Sequence, residues 1–230
     1  MSNLFTVEAM RSKQSPMTRK GPAAEENAAE KPARERILAV ASDLFYRQGI
    51  RSVGVDEVVA AAGVAKMSLY RSFPSKDELA AAYLEAVDER YWRWWDEIAA
   101  RHPQAPREQL RELFRSLAKR TTRADWRGCP FTNAATEFPE IGHPARAVAE
   151  ANKHELRRRL VDLCRAIEAQ EPAALADQLV LLFEGAYTSA QTFGADGPAC
   201  AVAAAAEALI EAQLSRKSGA PARSPRAASR

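Results

Sequence analysis

The chain has 230 residues, 47% of them hydrophobic and 27% charged, with 33 lysines and arginines against 30 acids. That length allows one or two domains around a substantial core, and with no run of about 18 apolar residues it excludes a membrane-spanning helix. The formal net charge of +3 sits at the C-terminus, where Arg216, Lys217, Arg223, Arg226 and Arg230 stand without an acid and leave −2 for residues 1 to 214, so bulk charge alone does not announce a nucleic-acid partner.

Residues 1–31 mix Ser, Lys, Pro, Glu and Ala without periodicity and read as a disordered tail, as does the basic segment 217–230. Between them alanine recurs through the apolar segments while β-branched residues are sparse, which predicts an all-α fold of about nine helices. "RERILAVASDLFYRQG" places Ile37, Ala41, Leu44 and Phe45 on one face and ends at Gly49, a candidate left-handed stop. "VDEVVAAAG" repeats the pattern with Val55, Val58, Val59 and Ala62, and Gly63 closes it. "AKMSLYRSF" follows after a turn of about three residues, with Leu69 and Phe73 four apart facing inward and Met67, Ser68, Tyr70 and Arg71 left outside. "SKDE" is a capping box at Ser75 that opens a long helix to about His102.

Two short helices around a glycine turn, braced by a longer one before them, make a helix-turn-helix whose second helix is shaped to enter a major groove. "GVDEVVAAAGVAKMSLYRSFPSKDEL" (54–79) resembles the DNA-binding region of TetR-family transcriptional regulators, with the A-A-G-V turn, the L-Y-x-x-F core and the S-K-D-E-L continuation in register. The resemblance implies a helix-turn-helix domain over 32–78 in which Tyr70 and Lys76 contact phosphate while Lys66, Met67, Ser68, Arg71 and Ser72 lie at or near base edges. Family members often carry Ser or Thr where this chain has Gly54 and Ala65, so no side-chain cap is expected at either position.

The remainder, 79–216, is expected to hold helices over about 106–123, 145–169, 172–193 and 198–216, with "DWRGCPFTNAATEFPEIGHP" a Gly/Pro-broken segment between the first two. The resemblance implies a ligand-binding and dimerisation domain whose last two long helices pair in a homodimer. "RYWRWWDEI" supplies aromatic rings that can line a pocket or fill the core. Trp92, Trp95, Phe114, Trp126, Phe131, Phe183 and Tyr187 are the candidate walls of a site for a small apolar or aromatic effector.

The expected function is therefore a ligand-responsive, DNA-binding regulator, with repression of a palindromic operator as its output. The alternatives are thiol-based redox sensing through Cys129, beside Arg127, or a DNA-binding protein that answers to no ligand. Cys129, Cys164 and Cys200 lack C-x-x-C spacing and suit a reducing cytoplasm, and the polar N-terminus lacks the apolar stretch of a signal peptide. His102, His143 and His154 have no metal-ligand spacing and no phosphate loop or nucleophile motif occurs, so no metal, cofactor or catalysis is expected.

Overall fold

The structure is a computed structural model that describes residues 32–215; the tails expected over 1–31 and 217–230 lie outside the described residues, as does Arg216 at the expected end of the last helix. Among the described residues nine α-helices follow one another and no strand occurs. They are α1 (Ala33–Gln48), α2 (Val55–Ala62), α3 (Lys66–Ser72), α4 (Lys76–Arg101), α5 (Pro106–Thr121), α6 (Pro130–Glu137), α7 (Pro144–Ala166), α8 (Pro172–Phe193) and α9 (Val202–Ser215).

Local chemistry sets most boundaries. Gly49 and Gly63 adopt φ +93° and +62°, and each turns its N–H back onto the helix it ends. After α2 the Val64 N–H also returns to the Val59 carbonyl at 3.1 Å, the six-to-one bond of a glycine-terminated helix. Ser75 caps α4, its Oγ accepting from the Glu78 N–H at 3.1 Å. Gly54 and Ala65 open α2 and α3 without a side-chain cap, as their residue types dictate.

Two elements differ from the sequence expectation. The segment read as Gly/Pro-broken holds the eight-residue helix α6, because Pro130 occupies its first turn, where a missing N–H costs nothing. The last helix begins as a 3-10 turn over Pro198–Ala201 and becomes α-helical only at Val202.

One apolar core runs from Ile37 and Phe45 of α1 through Leu69 and Phe73 beside α3 to Leu113 of α5, Leu160 of α7, Phe183 of α8 and Ile210 of α9. In the N-terminal part α1 packs on α2, α3 and α4; behind it α7 packs on α4, α6 and α8, and α9 on α5 and α8. α4 belongs to both groups. Its first turns bury Leu79, Ala80 and Tyr83, with Tyr83 edge-on to Phe45 of α1 at 5.7 Å. Its last turns bury Tyr91, Trp95 and Ile98.

Candidate functional site

The outer face of α3 follows from what its inner face must do. Leu69 is sealed and Phe73 is 2% exposed, each burial stabilising the fold by about 2 kcal/mol, so the helix orientation is fixed from within. Met67 then stands 70% and Tyr70 41% exposed, with Lys66 and Arg71 exposed beside them and Ser68 and Ser72 partly covered. Several polar groups already have partners. Lys66 Nζ lies 2.7 Å from Asp56 of α2, Arg71 Nη2 donates to Ser68 Oγ at 3.1 Å, and Ser72 Oγ donates to the Ser68 carbonyl at 2.9 Å. Lys76, at the first position of α4, donates from Nζ to the Arg51 carbonyl at 3.1 Å, and burial pulls its ammonium below the usual lysine range. Six of the seven sequence-derived residues thus lie on α3, and Lys76 joins them from the start of the next helix.

Behind this face lies an aromatic interior. The rings of Phe114 and Phe183 are 4.8 Å apart, Phe183 reaches Tyr187 at 6.2 Å, and Tyr187 stacks on Trp126 at 5.2 Å. Phe131 of α6 joins through Tyr91 at 6.3 Å and through Lys153, whose Nζ lies 5.9 Å from the Phe131 ring and 5.7 Å from that of Tyr187. Trp95 is buried but pairs with Trp92 at 6.0 Å on the outer side of α4. There the Arg159 guanidinium covers Trp92 at 4.3 Å, and Trp92 lines a surface groove with Glu89, Arg93 and Asp96.

Half-buried polar groups border this interior. Lys153 of α7 donates to Glu184 of α8 at 2.6 Å and to Cys129 Sγ at 3.3 Å, and Thr132 donates to the other Glu184 oxygen at 2.9 Å. Burial works against the Lys153 ammonium, but Cys129 and Glu184 outweigh it and hold its pKa above the ordinary value. Tyr91 Oη is buried without a hydrogen bond of ordinary length and angle among the described residues, though it interacts with the Tyr187 hydroxyl, and burial keeps its own hydroxyl far from ionising. The cation on Cys129 is thus Lys153, distant in sequence, whereas Arg127 uses its carbonyl to accept from Asn133 and Gln191.

The sequence profile of bacterial regulatory proteins of the tetR family matches residues 37–83, which spans most of α1 through the first turns of α4. The crystal structure of a TetR-family transcriptional regulator from Streptomyces coelicolor is 30% identical, with a TM-score of 0.72 over 81% of this chain and 96% of that one. This chain belongs to the TetR family. Among curated relatives, the transcriptional regulator AcuR of Cereibacter sphaeroides is 29% identical over 167 residues, covering 69% of this chain and 76% of its own. The regulator YjdC of Escherichia coli K12 is 25% identical over 152 residues, 66% of this chain and 80% of its own.

As a TetR-family member the chain is a DNA-binding transcriptional regulator, and no helix among the described residues is long and apolar enough to cross a membrane. Membership accounts for the helix-turn-helix that α3 completes. It does not explain Tyr91, Lys153 and Glu184 as a group. Lys153 and Glu184 stand 31 residues apart with no motif linking them, and only the packing of α7 on α8 brings them together.

Proposed function

We propose that this TetR-family chain is a cytoplasmic, homodimeric repressor that reads a palindromic operator with α3 and is released by a small apolar or aromatic effector. The observation that carries the reading is the contrast on α3 between sealed Leu69 and outward Met67 and Tyr70, which leaves on the second helix of a helix-turn-helix a face free to enter the major groove. Tyr70 and Lys76 take phosphate, which positions the protein, while Lys66, Met67, Ser68, Arg71 and Ser72 face base edges, which specify the site. Lys66 must leave Asp56 to do so. The effector is taken by the interior that Phe114, Trp126, Phe131, Phe183 and Tyr187 surround, with Trp95 buried on α4; Trp92, in the surface groove under Arg159, stands outside that wall. An effector that binds better to a conformer with misplaced recognition helices weakens operator binding by its difference in affinity for the two states. The pairing of two chains through α8 and α9 sets two copies of α3 about 34 Å apart, one turn of DNA.

Operator binding by two variants tests the division of roles. Lys76→Ala weakens binding to all sequences alike and makes the slope of log K against log[salt] shallower by about 1 per protomer, whereas Arg71→Ala alters base preference. A Lys76→Ala protein with changed specificity and an unchanged salt slope sinks the assignment. A second reading is favoured by the Lys153 contact at 3.3 Å to Cys129: modification of that thiol breaks the contact at the start of α6 and releases DNA in place of a bound effector.

A further inference from the structure

The segment from Trp126 to His143 touches the DNA-binding part of the chain at several points. Near its start, the Arg127 N–H donates to Tyr46 Oη of α1 at 2.9 Å. At its far end, the Glu137 carboxylate accepts the backbone N–H of Arg51 at 2.7 Å, in the turn between α1 and α2. The Arg51 guanidinium pairs with Glu140 at 3.2 Å and lies 5.1 Å over the Phe138 ring, and His143 stands 3.5 Å from Asp77 in the first turn of α4. The side-chain pair Arg51–Glu140 is exposed on both partners and contributes little. Glu137 is different because it grips main chain. Its oxygen would lie 3.3 Å from a Cβ at Gly49, where φ is +93°, so the turn follows a path that leaves room for this carboxylate. The same Arg51 that gives its N–H to Glu137 gives its carbonyl to Lys76.

We infer that Glu137 is a positioning residue for DNA binding: from the C-terminal end of α6 it holds the Gly49–Arg51 turn, and with it the place of Lys76, in the arrangement that meets the operator. The inference rests on the reading that α3 and Lys76 face DNA. It gives α6 a role beside the direct path along α4. The Phe131 end of α6 lies in the aromatic interior and its Glu137 end on the helix-turn-helix, so a shift of the helix at one end moves the turn at the other. Thr132 and Cys129 tie that inner end to Glu184 and Lys153.

Electrostatics and positioning predict opposite signs, which makes the test sharp. Removing an acid near a DNA-binding face relieves repulsion and strengthens binding. Removing the grip on Arg51 weakens it. We expect Glu137→Ala to lower operator affinity about tenfold, the scale of one lost charge-assisted hydrogen bond. Glu137→Gln, which keeps a carbonyl acceptor for the Arg51 N–H, should bind at least as tightly as the unaltered protein. Glu140→Ala, which removes a neighbouring acid without touching main chain, should bind equally or more tightly. All three are compared by titration onto the same operator fragment, with circular dichroism and size-exclusion chromatography to confirm folded protein of unchanged assembly. A Glu137→Ala protein that binds as tightly as the parent, or a Glu137→Gln protein as weak as Glu137→Ala, overturns the inference. Lys76→Ala run in parallel separates the two levels. If it leaves the salt slope unchanged while Glu137→Ala still weakens binding, the phosphate role of Lys76 fails and the positioning role of Glu137 stands.

Discussion

Cys164 lies on α7 with no exposed surface, and burial pushes its thiol up to about 12, so at neutral pH it is a small apolar side chain. Cys200 is exposed at the 3-10 turn, its thiol donating to the Ala195 carbonyl at 2.9 Å. Cys129 is covered yet touches the Lys153 ammonium, and that contact makes it the thiol whose modification has a structural consequence: it precedes Pro130 at the start of α6. If thiol chemistry governs DNA release, an alkylating reagent or peroxide lowers operator affinity of the parent and of Cys200→Ser but leaves Cys129→Ser unmoved. Operator titrations before and after treatment check this, and a parent protein whose affinity does not change removes the thiol reading. The sequence offered Arg127 as the neighbouring cation because adjacency along the chain is all that a sequence displays. Which cation meets a thiol is decided by helices packing, here α7 against α6.

At the scale of elements, legibility followed periodicity. α1, α2, α3 and α8 could be read closely because each pairs an apolar stripe with a glycine, a proline or a capping residue at its edge, and the outward face of α3 follows from the inward spacing of Leu69 and Phe73. α6 could not be read that way. In PFTNAATE Phe131 is the one large apolar residue, so no stripe stands out, and a helix so short draws its stability from tertiary contacts, here the burial of Phe131 and Ala134. Its entry depends on Gly128, which has φ +88° and whose missing Cβ would fall 2.8 Å from Gln191 Oε1. Gly128→Ala therefore destabilises the protein by about 1 to 2 kcal/mol, the cost of holding an L-residue in the left-handed region, with any displacement of Gln191 added to it. Urea denaturation measures that loss, and an unchanged midpoint would show that the loop relaxes freely and that α6 is not anchored at this end.

At the scale of the whole molecule, what remains is the surface that a single chain leaves uncovered. Along α8 the positions Ala174, Gln178, Leu181, Gly185, Thr188 and Thr192 are all exposed, and none is charged. Leu181 is 70% and Phe193 65% exposed, whereas Leu179 and Phe183 on the other face are sealed. On α9 the exposed Ala204, Ala208 and Ala212 repeat every four residues, small enough for another helix to approach closely. The proposed two-fold pairing of α8 and α9 would bury both the uncharged stripe on one helix and the small-residue stripe on the next. Leu181→Glu sets like charges near one another across such an interface and should convert the proposed dimer to a monomer in sedimentation velocity. Operator affinity should fall about a hundredfold or more, because two half-sites bound by tethered subunits gain an effective concentration that separate monomers lack. The variant should still bind nonspecific DNA with an unchanged salt slope per protomer, since α3 and Lys76 are untouched. A Leu181→Glu protein that stays dimeric and keeps its operator affinity places the interface elsewhere, and with it the spacing of the two recognition helices.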